Sequence, residues 1–361
     1  MNYSIDRAGK PAYLQLYEQL RADILSGAYA HGMRMPSKRL LAEELHLSLS
    51  TVEHAYVLLC EEGYVEARER SGFYVCFRAG DGFASAPATP PSAPLPAAHA
   101  AQQSFPFSVL AKAMRSVLSN YQERIMVRSP NCGCNELRSA IALYLSRSRG
   151  IFAAPTQIVI GSGAEYLYGL IVEILGRERI YALEDPSYEK IEQVYRAAGA
   201  NCDMLPLGPD GIDSAALAQT RSSVLHITPY RSYPSGVSAS ASKRHEYVRW
   251  ADRGDRILVE DDFESEFSVA GKPEETLFAI SGGRNVIYMN TFSRTISPSL
   301  RVGYMVLPSA LLPHFEERVG FYSCTVPTFE QYLLAELISS GDFERHINRI
   351  RRRKRRELQS L

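Results

Sequence analysis

Val286-Ile-Tyr-Met-Asn-Thr-Phe-Ser-Arg-Thr-Ile-Ser-Pro-Ser-Leu-Arg-Val-Gly-Tyr-Met-Val-Leu-Pro308 reads as strand, polar turn, strand. Val286 to Met289 and Val302 to Val306 are short apolar runs, and Thr291 to Arg301 between them is rich in Ser, Thr and Arg. Runs this short and apolar suit strands covered on both faces. The pattern recurs upstream in Ile158-Val-Ile160, Ile180-Tyr-Ala-Leu183, Val224-Leu-His-Ile227 and Ile257-Leu-Val259. Helical stretches such as Leu137 to Ser146 and Lys243 to Asp252 fall between or before them. The expected fold is α/β, doubly wound about a mostly parallel sheet.

A chain of 361 residues supports a large core and predicts two or three domains. Its apolar fraction of 45% and charged fraction of 22% are ordinary for a globular protein. Forty basic residues balance forty acidic ones, so global charge points to neither nucleic acid nor membrane. The six cysteines are scattered, Cys132-Gly-Cys134 has the wrong spacing for a redox pair, and no His cluster accompanies it. Free thiols in a reducing cytoplasm are the expectation. No apolar run reaches membrane-spanning length and the N-terminus has no signal-peptide core, which together predict a cytoplasmic protein.

Residues 78–104 turn to Ala, Pro, Ser and Gly, a composition that cannot bury enough apolar surface to fold and that favours an extended spacer. This linker separates residues 1–77 from residues 105–361. In the first unit Tyr13, Leu16, Tyr17, Leu20 and Ile24 share a helical stripe that ends near Gly27. A second helix starts at Pro36-Ser37. Ser50-Thr-Val-Glu53 has the form of a capping box opening a third helix after a turn from His46 to Leu49. Tyr64 to Ala67 and Phe73 to Val75 then alternate as strands around Arg70-Ser71-Gly72. The pattern is that of a winged helix-turn-helix. Charge does not separate this from a structural module, since nine basic residues face ten acidic ones through Arg78.

In the larger unit the chemistry is expected at strand ends. Ile160-Gly-Ser-Gly-Ala-Glu165 runs from a strand into a helix, where small residues and free N–H groups suit a phosphate, although a plain strand-helix turn would look the same. Tyr188, in Glu184-Asp-Pro-Ser-Tyr188, could lie over an aromatic ring or be core. Glu260-Asp-Asp-Phe-Glu-Ser-Glu-Phe267 gathers carboxylates at one strand end. One buried acid there could hold a pyridine nitrogen protonated; a solvated acidic loop is the competing reading.

Two resemblances sharpen these readings. Tyr13-Leu-Gln-Leu-Tyr, Met35-Pro-Ser-Lys-Arg-Leu-Leu-Ala, Thr51-Val-Glu-His-Ala-Tyr, Glu62-Gly-Tyr-Val and Ser71-Gly-Phe-Tyr-Val75 resemble the GntR-family regulators. Asn131 to Pro308 resembles the aminotransferase-like domain of MocR-type regulators, through Leu137 to Leu145, Gly161-Ser-Gly-Ala164, Glu184 to Tyr188, Thr228 to Gly236, Glu260 to Phe263 and the stretch that opens this section. The resemblance implies a DNA-binding transcription regulator in which Ser37, Lys38 and Arg39 contact phosphate or base. Ser50 and Thr51 would open the recognition helix in the major groove, and Ser71 and Gly72 would place the wing by the minor groove. It also implies a pyridoxal phosphate site. Gly163, Ala164, Thr291 and Arg301 would hold the phosphate, Tyr188 would stack on the ring and Asp261 would pair with the ring nitrogen.

The departures bear on chemistry. Arg294 stands where the family carries the lysine that forms a Schiff base, and a guanidinium is always protonated and a poor nucleophile. Phe263 replaces a tyrosine that donates to the cofactor 3′-oxygen, Arg231 replaces a histidine, Glu165 replaces a glutamine near the phosphate, and Leu49 replaces an arginine that would read guanine. The basic run Arg349 to Arg356 reads as a solvated helix face. The sequence stops at Leu361, so the small domain that carries a substrate-clamping arginine in relatives is expected to be incomplete. The reading is a dimeric, non-catalytic regulator that binds operator DNA and senses pyridoxal phosphate, at most non-covalently, or an amino-acid-related effector. The alternative is a pyridoxal-phosphate-dependent aminotransferase, which predicts a lysine near Ser293 and a complete C-terminal domain.

Overall fold

The computed structural model describes residues 3, 5, 10–69, 71–78, 105–268 and 274–359. Arg70 and linker residues 79–104 lie outside the described residues. The chain divides into two compact units, Met1–Ala98 and His99–Leu361. In the first, α1 (Ala12–Leu25), α2 (Lys38–Glu44) and α3 (Leu49–Glu61) precede the antiparallel pair β1 (Val65–Arg68) and β2 (Gly72–Val75). Leu16, Leu20 and Ile24 of α1 bury against Val52, Ala55, Tyr56 and Leu59 of α3, with Leu41 of α2 closing the core. Cap geometry corrects the sequence reading of α3. Ser48, not Ser50, is the N-cap: its backbone is extended at φ −70°, ψ 146°, and its hydroxyl accepts from Thr51 N at 3.1 Å. Leu49 is therefore the first helical residue and Ser50 lies in the exposed first turn.

The second unit runs α4 (Phe107–Tyr121), α5 (Asn135–Ser148), β3 (Ile158–Gly161), α6 (Ala164–Leu175), β4 (Ile180–Asp185), α7 (Glu189–Ala197), β5 (Asn201–Gly208), β6 (Gly211–Ile212) and α8 (Ser214–Gln219). It continues with β7 (Val224–Ile227), α9 (Ala241–Ala251), β8 (Ile257–Asp261), α10 (Leu277–Ile280), β9 (Val286–Thr291), β10 (Gly303–Val306), α11 (Leu312–Arg318), α12 (Thr328–Ser339) and α13 (Asp342–Gln359). Its sheet has the order β3-β10-β9-β8-β7-β4-β5-β6. The five strands from β9 to β5 are parallel. β10 is antiparallel to both β9 and β3, because the turn after Thr291 folds it back as a hairpin. Successive residues feed opposite cores: Val286 and Tyr288 join α5, α9 and α12, whereas Ile287 and Met289 join α6, α7 and α11. Burial on both faces is the reason the strands read as unbroken apolar runs. β5, with Asn201 exposed and Cys202 and Asp203 only partly covered, carries no such run and is not legible in the sequence. No helix among the described residues is long and apolar enough to cross a membrane.

Beneath the strand ends lies a buried acidic knot. Asp262 accepts from Tyr288 at 2.8 Å and Ser265 at 2.7 Å, and the Arg149 guanidinium on the far end of α5 approaches it at 2.9 Å, without hydrogen-bond alignment, while stacking on Tyr230 at 4.5 Å. Glu260 accepts from Leu277 N at 3.0 Å and Phe278 N at 2.9 Å, fastening α10, and Glu266 accepts from Asn290 at 2.6 Å. The competing reading of a solvated acidic loop is thus corrected: Glu260, Asp261, Asp262 and Glu266 are all buried. The basic run is solvated on one side only, since Arg351 donates to the Glu266 carbonyl at 2.6 Å and Lys354 lies over Phe267 at 4.9 Å. Burial pushes the Glu260 carboxyl up to about 7, and burial with the neighbouring Asp262 charge pushes Glu266 up to about 8. The folded chain therefore holds protons there that an unfolded carboxyl releases above about 4.5. Stability from these groups is full below that value and lost as pH rises toward 8. Thermal melts of Glu266→Gln should show a shallower fall in Tm between pH 5 and 8 than the unmodified chain; parallel curves would contradict this placement of the proton.

Candidate functional site

The turn between β3 and α6 depends on Gly163, the N-cap of α6, at φ 91°. A Cβ there would meet the Arg301 guanidinium at 3.1 Å, so glycine is required both for the backbone and for this approach. The Arg301 cation lies beside the first turn of α6, and free N–H groups at a helix start together with a cation suit an anion. In this structure Arg301 pairs with the Glu165 carboxylate. That carboxylate accepts from Lys190 at 2.7 Å and from Arg301 at 3.2 Å, and the Lys190 ammonium holds it below the ordinary glutamate range. Its charge is matched from two sides.

A cavity of about 330 Å³ opens beside this turn. Ala164, Tyr188, Asp261, Thr291, Arg294 and Arg301 all line it, with Gly163 at its edge through Arg301, so the sequence-derived residues meet in one place. Asp261, at the end of β8, is buried and accepts from the Tyr168 hydroxyl at 2.6 Å. His226 Nε2 faces the same carboxylate at 3.5 Å with no hydrogen-bond partner, while its Nδ1 shares a 2.6 Å bond with Tyr195. Tyr188 is half exposed at the rim and meets Tyr233 edge-on at 6.1 Å. Tyr168, His226 and Lys190 escaped the sequence reading. The one usable signal was a histidine inside an otherwise apolar strand, Val224 to Ile227.

Arg294 closes the opposite wall. Its guanidinium pairs with Glu264 at 2.5 Å and sits over the Phe263 ring at 5.6 Å. Arg231 reaches the other oxygen of Glu264 at 3.2 Å. Glu264, only 13% exposed in its side chain, is therefore bracketed by the two arginines that stand at departures from the family pattern. The residues present suit an aromatic ring with an acid beside its nitrogen and an anionic group at the head of α6. They offer no free amine at the position of Arg294 to bond an aldehyde, and no hydroxyl at Phe263. Among the described residues no group of three His, Cys, Asp or Glu could hold a metal ion.

In the N-terminal unit Ser37 caps α2, accepting from Leu40 N at 3.2 Å, and Arg39 is exposed in its first turn. Lys38 pairs with Glu53 of α3 and lies 5.5 Å above the Phe73 ring. Ser50 and Thr51 both engage the Ser48 cap, at 2.9 Å and 2.7 Å between hydroxyls. On the wing, Ser71 shares a 2.8 Å bond with the Tyr74 hydroxyl, and Gly72 (φ 115°) lies against the Arg34 side chain. Arg68 stacks on Tyr74 at 4.5 Å. Arg34 and Arg68 thus flank the wing with exposed cations that no periodicity in the sequence announced.

The family of bacterial regulatory proteins, gntR family, matches residues 12–75. The HTH-type transcriptional regulator YdeL of Bacillus subtilis is 32% identical over 366 residues, spanning 96% of this chain and 78% of that protein. The "Probable rhizopine catabolism regulatory protein MocR" of Rhizobium meliloti is also 32% identical, over 96% of this chain and 76% of its own length. The pyridoxine biosynthesis regulator PdxR of Corynebacterium glutamicum is 29% identical over 94% and 75%. Among solved structures, the kynurenine aminotransferase of Pyrococcus horikoshii superposes with TM-score 0.63 at 25% identity, covering 69% of this chain and 64% of that one. LysN, an α-aminoadipate aminotransferase of Thermus thermophilus, does so with TM-score 0.60 at 26% identity over the same shares, so this chain spans less than two thirds of either enzyme. A gntR-type reader ahead of an aminotransferase-like sheet, shared with regulators over nearly the whole length, makes the chain a DNA-binding member of the MocR-type HTH transcriptional regulators.

Proposed function

We propose that residues 1–77 bind operator DNA while residues 105–361 dimerise and sense pyridoxal phosphate, or an amino-acid adduct of it, without covalent attachment and without turnover. The observation that carries this reading is Arg294, tied to Glu264 and facing the cavity where an anchoring amine would be needed. When bound, pyridoxal phosphate would supply a dianionic phosphate, a basic ring nitrogen and a C4 aldehyde. Gly163, Ala164, Thr291 and Arg301 hold the phosphate in this reading, and Arg301 exchanges Glu165 for it. Tyr188 covers the ring, and Asp261, oriented by the Tyr168 hydroxyl, accepts from the protonated ring nitrogen. Arg294 keeps its proton and forms no bond to the aldehyde. On DNA, Ser37, Lys38, Arg39, Ser50 and Thr51 contact one groove and its phosphates, and Ser71 and Gly72 set the wing beside the next. A dimer would match two operator half-sites, and the protein would work in the cytoplasm.

Pyridoxal phosphate added to the unmodified chain should leave on dialysis, and borohydride should fix no label at residue 294. Arg294→Lys should retain a borohydride-fixed pyridoxyl label on that residue. A fixed label on the unmodified chain would overturn the non-covalent reading. Glu165→Gln should tighten binding of the phosphate-bearing ligand roughly fivefold by removing a like charge, since two unit charges roughly 4 Å apart in water repel by about 1 kcal/mol; equilibrium dialysis reads this directly. For the reader, Lys38→Ala with Arg39→Ala should weaken binding to every DNA sequence in a gel shift. It should also make the salt dependence shallower by about two, whereas unchanged binding would remove the start of α2 from the interface.

A further inference from the structure

The exposed side of α3 carries an unusual set of groups for a base-reading helix. Leu49 is 45% exposed, Glu53 follows one turn later, and Val57, 46% exposed, follows one turn after that. His54 is drawn off this stripe by an edge-on contact with Tyr13 at 5.6 Å. The stripe therefore offers one acceptor between two apolar side chains, and no donor of its own. Lys38 pairs with Glu53 and holds its carboxyl below the ordinary glutamate range, so at neutral pH Glu53 is ionised and only accepts.

We propose that α3 reads pyrimidine edges in the major groove, Glu53 accepting from the N4 amino group of a cytosine and Leu49 packing on the C5-methyl of a thymine nearby. The inference rests on the winged helix binding DNA and adds base-level specificity to it. The four bases present different edges. Guanine shows two acceptors, N7 and O6, which an ionised carboxylate repels; adenine shows N7 beside its amino group; thymine shows an acceptor and a methyl; cytosine shows an amino donor with no N7 beside it. Of these, cytosine is the match for a lone acceptor and thymine for a leucine. Lys38 serves in this arrangement as the adjacent cation that offsets repulsion between Glu53 and the DNA phosphates, and the ion pair holds the carboxylate at the surface of α3 before binding.

The full chain is used to enrich binders from randomised double-stranded DNA, alongside Glu53→Gln. The unmodified protein should enrich cytosine at one fixed position. Glutamine pairs with adenine through N6 and N7, so Glu53→Gln should lose that cytosine, with discrimination there falling roughly 5- to 150-fold, and gain adenine while other positions stay as they were. Glu53 is exposed, so the exchange leaves the fold intact. A second measurement needs no variant: replacing thymine by deoxyuridine at the neighbouring position removes only the methyl and should weaken binding several-fold, a loss that Leu49→Ala no longer shows. If Glu53→Gln raises affinity for all sequences and leaves the enriched sequence unchanged, Glu53 is a counterion of Lys38 and the inference fails alone. If nothing is enriched, sequence-specific DNA reading fails and takes the inference with it.

Discussion

The larger unit depends on one backbone decision, the antiparallel insertion of β10 between β9 and β3. Hydrogen bonds on both edges lock Gly303 opposite Thr291 on one side and opposite Gly161 on the other. That register carries Arg301, just before β10, to the head of α6, and brings Thr291 and the turn with Arg294 to the mouth of the same cavity. A slip of one residue would turn every side chain of the strand to the opposite face and separate these groups. Strands β8 and β7 run parallel to β9, so Asp261 and Thr228 reach the cavity from their carboxyl ends, where an open α/β sheet leaves room for a ligand.

Within that frame the cavity is held by its own ion pairs. Arg301 and Lys190 share Glu165; Arg294 and Arg231 share Glu264. Each carboxylate answers a pair of cations, so each cluster keeps a net positive charge beside the cavity. The Glu165 pairs are exposed and contribute little to stability, whereas the Glu264 carboxylate is mostly covered. The knot of Glu260, Asp262 and Glu266 differs in kind: it is buried, with Asp262 against Arg149, so it supports the strand ends and does not line the cavity. The reader unit uses the same economy at its surface, where Lys38 and Glu53 hold each other before DNA is met.

Much of this was legible in one dimension. Apolar runs covered on both faces announced the sheet, stripes at helical spacing announced α1 and α3, and small residues at Gly161 to Ala164 announced the turn from β3 into α6. Local rules were less reliable at the start of α3: the Ser50-to-Glu53 pattern pointed to Ser50, but the extended backbone puts the cap at Ser48. β5 escaped because partly covered strands keep polar residues and lose the signal on which the others were read.

Residue identity alone was enough to place a guanidinium at position 294, because no folding can turn an arginine into an amine nucleophile at neutral pH. The order of reader, spacer composition and α/β pattern likewise follows from the string of residues. Partnership is another matter. That Glu264 takes both Arg294 and Arg231, that Glu165 is neutralised from α7 and from the edge of β10, and that Tyr168 and His226 converge on Asp261 depend on distances between segments dozens to more than a hundred residues apart. In water the attraction of two unit charges reaches about 1 kcal/mol only at roughly 4 Å, so close pairing belongs to the folded arrangement and leaves no pattern along the chain.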